Sequence, residues 1–175
     1  LLSVVTCLQV KAQYMPVVFD KVYGDKNQIQ LVCPLPGDEV ALVGKEGQKY
    51  NLTWVEREGD VVFSLPLTGF TAVNEIAELD NNRVLVVGQS TMPNVKGKKD
   101  RITLCGRIAV VERNGRIVTD IYAGDQGSNF LKGMLLRSGA FVVSGSEPKG
   151  ADGRQGILLK LDPTGSVVYQ YKNAG

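Results

Sequence analysis

The 175-residue sequence contains no histidine. Histidine is the commonest general base in enzymes and the commonest metal ligand, so its absence excludes Ser-His and Cys-His pairs within this chain and most zinc and iron sites. Aromatic residues make up only 7%, and the net charge is only +2. A nucleic-acid-binding surface needs a concentrated basic face, so the bulk charge does not indicate a nucleic-acid partner. Glycine, by contrast, is plentiful, with 20 residues.

Cysteine is scarce as well, with three residues. Cys33 and Cys105 follow apolar residues in strand-like segments, and a free cysteine commonly behaves as a small buried hydrophobe. We therefore predict two buried thiols rather than a disulfide or a nucleophile.

Long apolar runs are missing except at the start, where residues 1–10 are mostly apolar and Val10-Lys11-Ala12 resembles a signal-peptidase site. Residues 1–13 are predicted to be the remnant of a secretory signal peptide whose first residues are missing, which implies a secreted, periplasmic or outer-membrane surface protein. The run is too short to span a bilayer. A core strand is the alternative interpretation, and lipidation of Cys7 is another.

Three series of glycines recur along the rest of the chain. The first follows an acidic residue by three positions, at Gly59, Gly115 and Gly165. The second ends apolar runs, at Gly44, Gly88 and Gly145, and the third comprises Gly24, Gly69, Gly124 and Gly175. Each second-series glycine follows a third-series glycine by 19 to 21 residues, and the third series itself recurs every 45 to 55 residues, a period typical of repeat folds.

Four short apolar strands, a to d, fit into each repeat, and no segment has a helical period. Four antiparallel strands per repeat indicate the blade of a β-propeller. Residues 14–175 are therefore predicted to be an all-β, partial β-propeller of about three four-stranded blades, with units at about 24–68, 69–123 and 124–175. A lone strand at 17–23 is predicted to close a propeller whose other blades lie outside this sequence.

The segment from Gly156 to Gly175, with its Leu-Lys-Leu-Asp-x-x-Gly motif, resembles the repeat of secreted Bacteroidetes-type propeller proteins and is similar to delta-60-repeat and quinoprotein-like propellers. The resemblance covers nearly all of 14–175 and is loosest in the second unit. It implies an exported protein, often with a further module such as a sorting domain or a caspase-like peptidase.

The acid-glycine motifs predict tight turns between strands c and d. In Asp162-Pro163-Thr164-Gly165 the aspartate suits the first position of a type I turn, and Gly165 suits a left-handed position. Glu56, Glu112 and Asp162 recur in successive blades, so they should lie too far apart to form a catalytic pair. Trp54 and Phe63 flank the first turn and are predicted to pack in the core. The polar segment 124–129 is predicted to form a turn.

Function is expected on the face that carries the b–c loops, because the repeat varies in length there, at Lys45–Lys49, Gln89–Arg101 and Ser146–Gln155. The proposed ligand-binding loop contains four cations that would contact a protein or glycan: Lys96, Lys98, Lys99 and Arg101. The alternative is a solvated, flexible loop. The segment 146–154 offers too few oxygen ligands for calcium. No catalytic residue, cofactor or metal ligand is predicted.

The predicted function is therefore that of a non-catalytic, exported binding or scaffold module. The alternatives are a propeller enzyme, or the propeller appendage of a caspase-like peptidase, with catalytic residues elsewhere in a longer protein.

Overall fold

The computed structural model describes residues 28–80, 82–92, 104–150 and 153–173. These residues form three four-stranded antiparallel sheets, each a meander in chain order. The prediction of an all-β fold built from about three four-stranded blades is confirmed. The predicted signal peptide and the predicted closing strand at 17–23 lie outside the described residues.

Each sheet contains four consecutive strands that correspond to strands a to d of one repeat. The strands of the first sheet are β1 (Gln28–Leu35), β2 (Glu39–Glu46), β3 (Lys49–Val55) and β4 (Val61–Pro66). Those of the second are β5 (Phe70–Asp80), β6 (Arg83–Thr91), β7 (Leu104–Glu112) and β8 (Ile117–Ala123). Those of the third are β9 (Asn129–Leu135), β10 (Phe141–Lys149), β11 (Gly153–Leu161) and β12 (Val167–Asn173). A 3₁₀ turn at Pro36–Asp38 joins β1 to β2.

The core lies between the sheets, and the second sheet is buried on both faces. Val84 and Val86 pack against the first sheet, whereas Leu85 and Val87 pack against the third, and all four are fully buried. Successive side chains of a strand point to opposite faces, so one continuous apolar run supplies both interfaces.

Two of the second-series glycines, Gly88 and Gly145, are required by a close approach of the neighbouring strand. A Cβ added at Gly88 would lie 2.0 Å from the carbonyl oxygen of Ala72, and one at Gly145 would lie 2.1 Å from that of Asn129. In both sheets the register between strands a and b shifts near the glycine, which marks a β-bulge. The glycine pattern found in the sequence therefore reflects a repeated bulge.

The acid-glycine motifs form the c–d turns, as predicted. In each motif the glycine N–H donates to the carbonyl of the acidic residue, at 2.8 Å for Gly59 and Gly115 and 3.0 Å for Gly165. These glycines have φ values of +82°, +83° and +93°. The hydrogen bonds that Asp162 accepts from Thr164 and Ser166 lower the pKa of its carboxyl group. The turn interpretation of Asp162 is confirmed.

We call the end of the sheets that carries these c–d turns the lower end. The b–c connections lie at the opposite, upper end, and two of them are shorter than predicted. Residues 47–48 alone separate β2 from β3, and residues 150–152 separate β10 from β11. Strands b and c continue past the glycine, so much of the variation within 146–155 is strand length rather than loop length.

Candidate binding face

The loop predicted to bind a ligand begins and ends at the upper end of the second sheet. Lys96, Lys98, Lys99 and Arg101 lie outside the described residues, whereas the strands on either side lie within them. Thr91, which ends β6, is paired with Leu104, which begins β7. The basic segment therefore leaves and re-enters the fold at one point of the upper end.

Arg107 lies on β7 near this point and is almost fully buried, with 6% of its side chain exposed. Its Nε and Nη2 atoms donate to the two carboxylate oxygens of Asp120, at 2.7 and 3.0 Å, and Nη1 donates to the carbonyl of Thr68 at 2.7 Å. The guanidinium lies over the rings of Phe70 and Tyr122, at 4.4 and 5.0 Å. A planar cation held on three sides in this way joins strands β7 and β8 to the β4–β5 turn.

The β4–β5 turn is fixed further by Ser90. Its hydroxyl donates to the carbonyl of Gly69 at 2.7 Å, and the N–H of Thr91 donates to the same oxygen at 2.9 Å. Gly69 has a φ of +87°, a conformation that favours glycine. The third-series glycine thus has a conformational role in the d–a turn.

The upper end of the third sheet carries a buried carboxylate, Glu147. One of its oxygens, Oε1, accepts from Gln155 Nε2 at 2.8 Å and pairs with Lys172 Nζ at 2.5 Å. Lys172 also donates to Asp125 at 2.9 Å, and hydrogen bonds to these two carboxylates raise the pKa of Lys172. Among the described residues, neither Glu147 Oε2 nor Ser128 Oγ has a hydrogen-bond partner.

The polar segment 124–129 forms the β8–β9 connection, as predicted, and neighbouring strands hold it in place. Gln89 donates to the carbonyl of Ser128 at 3.1 Å, and Arg154 donates to that of Gly127 at 3.0 Å. Arg154 also donates to Ser146 Oγ. These side chains tie the second sheet to the third at the upper end.

Two clefts lie at the lower end of the fold, one at each of the two interfaces between neighbouring sheets. The cleft between the first and second sheets has a volume of about 1000 Å³, and the cleft between the second and third about 650 Å³. The first cleft contains side chains of both charges, and these are joined in ion pairs: Arg83 with Asp80, Arg113 with Glu39, and Arg116 with Glu112.

Both predicted thiols are buried. Cys33 is 6% exposed and Cys105 is 1% exposed, and both are free. Burial raises the pKa of each thiol, although the positive charge of Arg107 opposes this for Cys105. The prediction of two buried free cysteines is confirmed.

The described part of the chain contains no group of three or more Cys, Asp or Glu side chains placed to hold a metal ion. Over the same residues, no helix is long and apolar enough to cross a bilayer.

Sequence reasoning placed the turns and the core but missed Arg107, Glu147 and the ion pairs that join sheets. Arg107 occurs within a run that is otherwise small or apolar, Gly106 to Val111, and this was the available signal for a buried cation. Its partner Asp120 lies on another strand, so spacing along the sequence does not reveal the pair.

No family model and no curated protein matches the chain. Among solved structures, the chain is similar to one described as "Crystal structure of the eukaryotic initiation factor", with a TM-score of 0.56 and 14% sequence identity. The match covers 88% of this chain and 35% of that one, so this chain spans about a third of that structure's length. At this identity the similarity shows the fold alone.

Proposed function

We propose that this chain is an exported, non-catalytic part of a β-propeller that serves as a binding or scaffold module in a larger secreted or surface protein. The observation that carries the proposal is the outward face of the third sheet. Leu158, Tyr169 and Tyr171 are exposed there, at 38%, 55% and 53%. Exposed apolar patches of this kind commonly mark surfaces that bind another protein element.

The equivalent face of the second sheet is covered by the third sheet and provides a comparison. The strand pairings place Tyr171 of β12 where β8 has Ile121, and Leu158 of β11 where β7 has Ile108. Ile121 and Ile108 pack against the third sheet and are 5% and 0% exposed. The outward face of the third sheet therefore has the pattern of an interface, and we propose that a further blade or domain covers it.

Cross-linking in the natural protein tests this proposal. The photoreactive residue p-benzoylphenylalanine is introduced at Tyr169 or, as the matched control, at Val168, the next residue of β12, which points to the opposite side of the sheet. We expect cross-linked peptides from position 169 to map to another blade or domain, and position 168 to give none. Failure of position 169 to cross-link would contradict the scaffold role.

The ligand of the module is proposed to be a protein or glycan bound at the upper face through the loop that contains Lys96, Lys98, Lys99 and Arg101. Binding to an array of sulfated and uncharged glycans tests whether the ligand is a glycan. We expect neutralisation of the four cations to abolish binding, whereas neutralisation of four cations away from that face, Arg57, Arg116, Lys132 and Lys160, leaves it unchanged. Equal loss in both variants would assign the effect to bulk charge and contradict the loop's role.

A further inference from the structure

The cleft between the second and third sheets has the size of a small-molecule site. Its volume of about 650 Å³ lies within the range of about 300–1,000 Å³ that is usual for ligand pockets. Its lining mixes polar and apolar groups, and the apolar side chains that matter here are Leu79, Leu85, Val110, Leu135, Phe141 and Pro163. The polar side chains at its edges include Arg83, Thr119 and Arg137.

Comparison of the two inter-sheet interfaces shows how the second differs in its core side chains. The strand pairings place Val110 and Thr119 of the second sheet where the first sheet has Trp54 and Phe63. The rings of Trp54 and Phe63 lie 6.0 Å apart and fill the corresponding space between the first and second sheets. Val110 and Thr119 are much smaller, and both line the cleft. The second interface therefore has room for a ring where the first interface holds two aromatic side chains.

The charged side chains at the lower end of the two interfaces also differ. In the first, the Glu39 carboxylate accepts from Trp54 and from Arg113 of the next sheet. In the second, the position of Glu39 is taken by Arg83, and the position of Arg113 by Pro163. A carboxylate beside a ring is thus replaced by a guanidinium beside an open apolar space.

We propose that this cleft binds a small aromatic monocarboxylate. Its ring takes the space that Trp54 and Phe63 fill in the other interface, and its carboxylate lies beside Arg83 and Arg137. Arg83 is anchored by Asp80, whose Oδ2 lies 2.7 Å from Arg83 Nε and 2.6 Å from Nη2, which leaves Nη1 for the ligand. Arg137 is exposed at the edge of the cleft.

The ion pair with Asp80 limits the charge that a ligand can carry. Asp80 offsets much of the charge of Arg83, so the edge of the cleft balances one ligand carboxylate rather than two. The site lies at the lower end, away from the basic loop, and does not depend on the proposed function.

The probe for this site is indole-3-propionate, which combines an indole ring with one carboxylate. Titration calorimetry is expected to show saturable binding to the wild-type protein with a dissociation constant of about 1 mM, a typical strength for one ring and one charge contact. In nuclear magnetic resonance spectra, the amide signals of Gly133 and Gly139, which line the cleft, are expected to shift with the probe.

The decisive variant is Thr119→Phe, which gives the second sheet the residue that the first sheet has at this position. It is expected to weaken binding by about tenfold or more by filling the space. The matched control is Val118→Phe, because Val118 is the preceding residue on β8, is 38% exposed and points to the other side. If Thr119→Phe does not fold, the smaller Thr119→Leu substitution takes its place.

The charge is tested with the neutral analogue indole-3-propionamide, which we expect to bind at least about tenfold more weakly. Three results would overturn the proposal: no saturable binding to the wild type, equal binding by Thr119→Phe and Val118→Phe, or equal affinity for acid and amide. Because none of these measurements involves the basic loop or the third sheet's outer face, their failure would leave the proposed function untouched.

Discussion

Glu39 and Arg113 join the first and second sheets through an ion pair, with Glu39 Oε1 2.6 Å from Arg113 Nη2. The other carboxylate oxygen of Glu39 accepts from the indole N–H of Trp54 at 2.6 Å. Trp54 is fully buried, and a buried indole N–H needs a hydrogen-bond acceptor. The carboxylate of Glu39 therefore accepts the hydrogen bond of the buried indole and also binds Arg113 of the neighbouring sheet.

The first prediction concerns the pH dependence of this contact. The hydrogen bond from Arg113 lowers the pKa of Glu39 below its ordinary value of 4.5. Because the pKa is lower in the folded than in the unfolded state, the contribution of Glu39 to stability is fully present above about pH 4.5 and is lost as the pH falls through the folded-state value. Glu39→Gln should lower the free energy of unfolding at neutral pH by about 1 kcal/mol, since Arg113 is partly exposed.

Denaturant unfolding of Glu39→Gln at several pH values checks this prediction. The variant should lose less stability than the wild type between pH 4.5 and more acidic values. Glu58→Gln is the control, because Glu58 is exposed in the first c–d turn, and it should follow the wild-type curve. Parallel curves for the wild type and Glu39→Gln would show that the ion pair contributes nothing.

The second prediction distinguishes two free-energy costs of replacing a turn glycine, that of the left-handed conformation and that of a steric contact. Gly47 and Gly165 both have positive φ values, of +59° and +93°, but a Cβ at Gly47 would meet nothing, whereas one at Gly165 would lie 2.9 Å from Ile121. Gly47→Ala should therefore cost about 1 kcal/mol, for the left-handed conformation alone. Gly165→Ala should cost clearly more, and chemical denaturation measures both. Equal costs would argue against contact between the third c–d turn and β8.

The third prediction concerns the bulge at Gly88. An alanine there would place its Cβ 2.0 Å from a backbone oxygen, which cannot move aside as a flexible side chain can. Gly88→Ala should lower the unfolding free energy by about 3 kcal/mol or more. In Gly156→Ala, the control within β11, the nearest atom would be 3.8 Å from the new Cβ, and little change is expected. A thermal midpoint for Gly88→Ala close to that of the wild type would refute the bulge.

The fourth prediction concerns the thiols. Cys33 and Cys105 are buried and have raised pKa values, so both should react slowly with iodoacetamide at about pH 8 in the folded protein. Denaturant should make both react rapidly. Mass spectrometry of a Cys7→Ser variant counts the modified sites without contribution from the N-terminal cysteine. Rapid labelling of either thiol without denaturant would contradict its position in the core.

The sequence was sufficient to predict the repeat because each blade repeats its own turn chemistry. Gly115 and Gly165 could be recognised from local spacing, since a c–d turn is made by consecutive residues. The role of Gly88 could not be recognised, because the oxygen that excludes a side chain belongs to Ala72 on another strand. The pattern was visible, but its cause was not.

Contacts between blades were beyond sequence reasoning for a similar reason. Glu39 and Arg113 are far apart in the chain, and only the packing of two sheets brings them together. The extent of the third b–c loop was also wrong, because polar residues such as Ser146 and Glu147 indicate a loop although they continue β10. Their side chains are paired at the sheet's end, which compensates for their low strand propensity.

The central claim is that three blades pack face to face, with the c–d turns of the second and third blades against strand d of the preceding blade. Gly115 lies against Phe63, and Gly165 lies against Ile121. The most direct measurement is a nuclear Overhauser experiment on the folded protein. We predict cross-peaks from the Gly115 Hα protons to the Phe63 ring and from the Gly165 Hα protons to the Ile121 methyl groups. The presence of signals within each sheet but of neither pair would contradict the stacked-blade arrangement.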